Sequence, residues 1–368
     1  MEVLHVISSL ETGGAQKLVA DLLPVLNGQK DIKTKLVVFR KTGNDFEQKL
    51  YEEGVEIISL ESGLRSPGAI KKLIPIMKKA DMVHAHLFPV NYIVAVANIS
   101  ARKPLVFTEH STHNRRRDHK ALRLPEKLMY SQYDKVACIS EAVRDNLSDW
   151  IGKKRANKRL EVITNGIDTD IYDKTEGVSS YECFGREGIP VIMISRFTDS
   201  KDHPTFIRAI KNIENKSVFG VLAGDGENRP EMERLAQELG VEDRILFLGT
   251  RSDIPRLIKS SSIGVQSSNW EGFGLTAIEM MAGGIPVVAS EVEGLKQVVE
   301  GGGLIFPKGD YNSLTSIIEN LVGDTELYKE IARKGKEKAG LYSIENTARQ
   351  YVSLYRKLIQ PYRLNQAR

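Results

Sequence analysis

Glu271 and Glu279 stand eight residues apart, with Gly272 and Gly274 between them and a helix-like run following at 275–281. A helix that starts just after glycines presents unbonded backbone N–H groups and the positive end of its dipole, which suits a phosphate. A carboxylate on the loop and a second two turns along could hold hydroxyls at the two ends of one elongated ligand. At ~1.5 Å per residue a fully helical spacing is ~12 Å, about the length of a nucleotide sugar. The plain alternative is a solvated loop glutamate and another on a helix face.

Other stretches carry compatible chemistry. Thr12-Gly-Gly-Ala-Gln16 precedes a helix, and Gly13 and Gly14 would let backbone approach a phosphate or sugar. It is not the G-x-G-x-x-G dinucleotide pattern, and there is no Walker A sequence. His110, in Thr108-Glu-His-Ser111, could donate a hydrogen bond or shuttle a proton near neutral pH. His84 and His86 could line the same cleft. The spacings His84/His86 and His110/His113 could bind metal in principle, but no Cys partner or H-E-x-x-H helix supports this, and no metal is expected. Arg196 and Lys201 could clamp a diphosphate, the arginine as a fork and the lysine as a point charge. Gly224-Asp-Gly-Glu227 is a turn that brings backbone close to a ligand, and Gly249-Thr250-Arg251 could form a nucleobase lip. Glu291-Val-Glu-Gly-Leu-Lys296 follows a further strand. Asp168-Thr-Asp170 matches a metal-holding Asp-x-Asp pair, yet follows Asn165-Gly166 and reads as turn chemistry.

These residues need a scaffold that collects them. Strand-like runs at 3–7, 35–39, 56–59, 82–85, 105–108, 135–139 and 160–163 alternate with helix-like runs such as 15–26, 46–52, 69–79 and 125–132. Such alternation predicts parallel α/β sheets with helices on both faces. It breaks across the turn at 164–170 and a polar, Gly-rich stretch at 174–188, then resumes with strands at 190–195, 217–223, 244–248, 263–266 and 285–289. Helices at 314–321, 326–339 and 344–358 close the chain. Two doubly wound, Rossmann-like domains are expected, 1–170 and 171–343. Ligands in such sheets bind outside the carboxyl ends of the strands. Each stretch above follows a strand, so chance glutamates become the weaker account.

The 368 residues suit two domains. A hydrophobic fraction of 41% and a charged fraction of 27% are those of a globular protein. No apolar run approaches the ~20 residues of a membrane span, and no signal peptide is visible, so a cytoplasmic location is expected. Cys138 and Cys183 stand in no metal or redox spacing and read as reduced thiols. The net charge of +4 does not imply nucleic acid. Basic clusters at 113–120 and 153–159 lack the aromatic interleaving of a single-strand binder. Arg115, Arg116 and Arg117 read instead as attraction to an anionic acceptor or to the anionic surface of a membrane.

Together, Gly13-Gly14, His110, Asn165-Gly-Ile-Asp168, Arg196 with Lys201, Gly224-Asp-Gly226 and Glu271 through Glu279 resemble the GT4 family of retaining glycosyltransferases, which have the GT-B fold. The Glu-x7-Glu element with the upstream Arg-x4-Lys pair is specific; the glycine turns are not. The resemblance implies a nucleoside diphosphate sugar as co-substrate, bound chiefly by the second domain, with no metal or other cofactor. Glu279 would take ribose hydroxyls, and Arg196 and Lys201 the diphosphate. Backbone at Gly274, Leu275 and Thr276 would add to the phosphate site. Glu271, with backbone near Phe273, would hold the transferred sugar. From the first domain, Gly13 and Gly14 would approach the phosphates and His110 the donor sugar. Read from the residues themselves, Gly224, Thr250 and Arg251 would complete the donor side and His86 with Arg115–Arg117 would face a glycan or lipid-linked acceptor, whose identity the resemblance does not carry over. The last helix, from 344 onward, is expected to pack back on the first domain. Gly283 stands where relatives often carry Cys. A retaining, metal-independent hexosyl transfer follows, in polysaccharide biosynthesis at the cytoplasmic membrane face. A sugar-nucleotide epimerase, a non-catalytic nucleotide-sugar binder and a dinucleotide oxidoreductase are the rivals.

Overall fold

The computed structural model describes residues 1–11, 13–111 and 115–366. It contains two parallel sheets. The first runs β1 (Glu2–Ile7), β2 (Lys33–Val38), β3 (Glu56–Ser59), β4 (Met82–His86), β5 (Leu105–Glu109), β6 (Lys135–Cys138) and β7 (Leu160–Val162), in the spatial order β3-β2-β1-β4-β5-β6-β7. The second runs β8 (Ile189–Ile194), β9 (Val218–Ala223), β10 (Ile245–Gly249), β11 (Ile263–Gln266), β12 (Val287–Ser290) and β13 (Leu304–Phe306), in the order β10-β9-β8-β11-β12-β13. β4 and β9 are buried at every residue, as strands covered by helices on both faces must be. Their runs are therefore continuously apolar or carry buried polar groups with partners inside the sheet.

Two compact units result. One comprises Met1–Gly166 with the chain from Ile344 onward; the other comprises Ile167–Ser343. The first thus ends four residues before the expected break at 170, because Ile167 already bridges to Ser343 and its amide donates to Tyr342 O (2.9 Å). β13 was not among the expected strands. It has three residues and follows Gly301-Gly-Gly303, so too few alternations exist to register as a pattern. The closing helix is Ile344–Gln366, longer than its apolar period suggested. Its Ile344, Ala348, Tyr351, Val352, Leu354 and Tyr355 are buried in one cluster with β1 and the helix Gly14–Asn27. A buried side chain of this size stabilises by ~1.5–3 kcal/mol, so the helix is integral to that unit's core.

Candidate active site

In the second unit, the connection from β8 leads to β9 on one side and that from β11 leads to β12 on the other. A crevice therefore opens at the carboxyl ends of β8 and β11. Lys201, in the β8 connection, forms an antiparallel bridge with Ser268, in the β11 connection. The Asp202 amide donates to Ser267 O (3.1 Å) and Ser267 Oγ donates to Asp202 Oδ2 (3.3 Å). Asp202 Oδ1 in turn caps the helix His203–Asn212 by accepting from the Thr205 amide (3.3 Å). Backbone bridge and cap together hold Lys201 at one place. Its Nζ pairs with Glu271 Oε2 and lies 3.4 Å from Ser268 Oγ. The two side chains are 16% and 19% exposed, so the pair is largely covered yet reachable from solvent.

This pairing differs from the separate tasks expected of Lys201 and Glu271. The lysine pairs with the carboxylate and fixes where its oxygens point. Arg196 is exposed and makes no ion pair among the described residues. Among the described residues of these strand-end loops, the positive charge outside that ion pair therefore lies on Arg196 and the start of the helix Leu275–Ala282. His203 adds none: burial, and then the charge of Lys201, pull its imidazole down to about 4. It is neutral at pH 7, stacked on Phe197 at 4.1 Å between centroids, with Nε2 3.0 Å from Ser195 Oγ.

The glycines have a reason beyond ligand approach. A Cβ on Gly224 would lie 2.0 Å from Ser195 O, and one on Gly226 2.4 Å from Phe197 O. These glycines let the β9 connection lie on the β8 loop that carries Arg196, an arrangement tied by the Phe197 amide donating to Asp225 O (3.0 Å). Gly294 does the same for the other side, since its Cβ would meet Glu271 O at 2.6 Å. Gly274 has φ +94 and caps the helix without a side chain. The Leu275 and Thr276 amides have no intrahelical acceptor. The helix starts only at Leu275, so Glu271 and Glu279 do not share one continuous helix and the ~12 Å helical spacing does not apply. Glu279 is buried on that helix; Phe273 is buried with its ring edge-on to Tyr342. Thr250 and Arg251 are exposed after β10, and Arg251 is held by Asp253 through two bonds of 2.8 and 2.7 Å. At Gly283 a Cβ would meet Ile258 Cγ2 at 2.3 Å, so the glycine answers to local packing.

In the first unit, Gly13 and Gly14 begin the helix Gly14–Asn27 after β1; Thr12 lies outside the described residues. His86 ends β4 and is fully buried, so it offers no surface to an acceptor, contrary to expectation. Arg116 and Arg117 are likewise not free cations. Arg117 bonds Glu109 (2.9 Å) and Asn146 (2.6 Å), and Arg116 bonds Glu126 (2.8 Å) with its guanidinium 3.6 Å over the Phe88 ring. The carboxylates needed for this come from β5 and a neighbouring helix, which a reading of local charge runs does not include. The Arg115 side chain and His113 lie outside the described residues. Asp168 Oδ1 accepts from the Asp170 amide (3.1 Å), the turn geometry expected there.

From the sequence, His84 and His86 were expected to line one cleft with His110. In the structure His5, His84 and His86 cluster with ring nitrogens within 4.8 Å of one another. The spacing argument against metal did not include His5. Even so, both His84 nitrogens have partners (Tyr355 OH, 2.6 Å; Thr108 Oγ1, 2.7 Å), and His5 Nδ1 bonds His86 Nε2 (3.0 Å). An ion would have to break these bonds, so the donor set fits a hydrogen-bonded cluster better than a metal centre.

Residues 12–171 match the family described as Glycosyltransferase Family 4, and residues 186–338 match Glycosyl transferases group 1. This chain belongs to the GT4-type glycosyltransferases. The lipopolysaccharide core biosynthesis glycosyltransferase LpsE of Rhizobium meliloti is 30% identical to it over 62% of this chain and 66% of that protein. A Campylobacter jejuni enzyme named GalNAc-alpha-(1->4)-GalNAc-alpha-(1->3)-diNAcBac-PP-undecaprenol alpha-1,4-N-acetyl-D-galactosaminyltransferase is 24% identical over 96% of this chain and 98% of its own length. The crystal structure of Anabaena Alr3699/HepE in complex with UDP and glucose has a TM-score of 0.86 at 23% identity, covering 97% of this chain and 100% of that one. The fold is GT-B, two Rossmann-like units.

The sequence alone does not single out Ser268 or His203 of this glycosyltransferase, whereas Gly294 lies inside the Glu291–Lys296 stretch named above. Ser268 stands just past a strand end, three residues before Glu271. That position was the available signal. Nothing in the sequence marked His203, whose place depends on stacking against Phe197.

Proposed function

We propose that this glycosyltransferase moves a hexose from a nucleoside diphosphate sugar to a glycan or lipid-linked acceptor, with retention and without a metal ion. The observation that carries the reading is the convergence of Lys201, Ser268 and Glu271 at the crevice of the second sheet, with Arg196, which makes no ion pair among the described residues, on the same β8 connection as Lys201 and a helix start at Leu275 that has no side-chain cap. A leaving diphosphate gains negative charge as the glycosidic bond breaks, and cations already held in place stabilise it. As the phosphates enter, Lys201 turns from Glu271 towards them, and the freed carboxylate accepts from sugar hydroxyls. In this reading Glu279 takes the ribose and His110 contacts the donor sugar. The bound UDP and glucose of the Anabaena protein and the undecaprenol-linked substrate in the Campylobacter name support donor and acceptor classes.

Thermal-shift screening across UDP-, GDP- and ADP-sugars should raise Tm with one base only; at 100 times Kd a ligand adds about 2.7 kcal/mol. Transfer with that donor should survive EDTA. Activity abolished by EDTA and restored by Mg²⁺ would reverse the metal-independent reading.

The acceptor side offers apolar surface as well as charge. Leu124 (66% exposed) and Leu128 (57% exposed) stand four residues apart on the helix Arg123–Ser131, with Lys120 and Lys127 close in sequence. Residues so spaced share a helix face. No helix among the described residues is long and apolar enough to cross a membrane. The pattern fits seating on an anionic lipid surface. The double variant Leu124→Ser, Leu128→Ser should weaken co-sedimentation with anionic vesicles at least about tenfold, as each leucine buries ~1.5 kcal/mol or more. Wild-type binding indifferent to anionic lipid content would count against a membrane-borne acceptor.

A further inference from the structure

The histidines of the first unit lie where its sheet changes direction. β1 and β4 are adjacent, and their connections lead away to β2 on one side and β5 on the other, so a crevice opens at their carboxyl ends. His5 of β1 pairs in register with His84 of β4. From His5 a line of imidazoles leads to the strand ends. His5 Nδ1 lies 3.0 Å from His86 Nε2, and His86 Nδ1 lies 3.5 Å from His110 Nε2. His5 and His86 are stacked within 13° of parallel, and both are fully buried. His84 stands apart from this line, since its two nitrogens bond hydroxyls.

Each neutral imidazole carries one N–H and one bare nitrogen, so the protons along such a line must all point the same way. The only ring nitrogen at the closed end is His5 Nε2, which is buried and has no partner. If the protons pointed inward, that atom would be a buried N–H with no acceptor, among the rarest features of folded proteins. If they point outward, it is merely an unused lone pair. Outward means that His5 Nδ1–H donates to His86 Nε2, and His86 Nδ1–H donates to His110 Nε2. His110 must then carry its own proton on Nδ1, a nitrogen with no partner among the described residues.

We propose that His5 and His86 are positioning residues that set the tautomer of His110, so that it presents Nδ1–H, and not a lone pair, to an oxygen of the bound donor. Burial keeps the members of the line neutral, pulling His5 down to about 3 and His110 to about 4. The line is therefore a fixed hydrogen-bond donor and not a reservoir of charge. The functional half of this inference rests on His110 facing the donor sugar; the tautomer does not.

Selective 15N-histidine labelling of the full chain reads each ring nitrogen as protonated or bare, and the seven histidines are few enough to assign by single replacement. In the wild type at neutral pH, His110 is expected protonated at Nδ1 and bare at Nε2. His5→Leu removes the first donor, so His110 should become a mixture of tautomers, and kcat should fall roughly five- to tenfold with little change in donor KM, the scale of one hydrogen bond. His5→Asn places an amide N–H near the position of Nδ1 and should restore both the spectrum and the rate. A wild-type His110 protonated at Nε2 overturns the proposal, as does a His110 spectrum unchanged in His5→Leu. Should His5→Leu fail to fold, the wild-type and His5→Asn spectra still decide. A protein with the expected tautomer but no transfer activity sinks the functional reading and leaves the relay standing.

Discussion

Lys201→Ala is expected to lower transfer by about 100- to 1000-fold while the protein stays folded. The lysine sits at the crevice because Asp202 and Ser267 hold its backbone, and those bonds do not involve its side chain. Removing the ammonium therefore takes away charge and not scaffold. The lost pair with Glu271 is partly exposed and screened, so its contribution to stability is ~1 kcal/mol or less. Catalysis is expected to lose far more, because a departing diphosphate would gain negative charge that the ammonium stabilises. Lys201→Arg should recover little: a guanidinium is planar and wider than an ammonium, and Nζ already stands 3.4 Å from Ser268 Oγ. Turnover numbers at saturating donor, together with melting curves, separate the two effects. Near-wild-type turnover in Lys201→Ala would remove Lys201 from the mechanism. A large fall in Tm would mean the ion pair is structural first.

Gly224→Ala is expected to damage both stability and donor binding. The new Cβ would lie 2.0 Å from Ser195 O, and φ at this position is +139, a conformation that L side chains rarely adopt. Backbone cannot rotate away as a flexible side chain would, so the β8 loop must shift. A cost of ~2–4 kcal/mol follows, or roughly a 5–10 °C fall in Tm for a unit of this size. The shift would displace Arg196, the next residue along, and raise the donor KM. Gly309→Ala provides the comparison. Its φ is +79, yet a Cβ there meets nothing within 4 Å, so it should cost only about 1 kcal/mol. Equal melting temperatures for the two variants would show that backbone conformation, and not the packing of one loop on another, is why glycine stands at 224.

Much of this protein was legible in its sequence. Short apolar runs alternating with amphipathic ones specified two parallel α/β sheets, because a strand covered on both faces must be apolar throughout while its neighbouring helices need be so on one side only. The same alternation identified the strand ends, and chemistry-bearing residues at successive strand ends pointed to one nucleotide-sugar site in the second unit. β13 escaped because three residues after a run of glycines carry no period.

What only tertiary structure decided is which side chains meet. Arg116 and Arg117 read as free charge because their partners, Glu126 and Glu109, are brought to them by folding. Lys201 and Glu271 were assigned separate tasks, but they stand 70 residues apart in sequence and meet because β8 and β11 are adjacent at the point where the sheet changes direction. His5 drew no notice inside an apolar strand, and becomes the closed end of a line of imidazoles once β1 lies beside β4. Local pattern reports burial and backbone geometry, which depend on near neighbours in sequence. Ion pairing and tautomer depend on distances across the sheet, and those exist only after strand order is set.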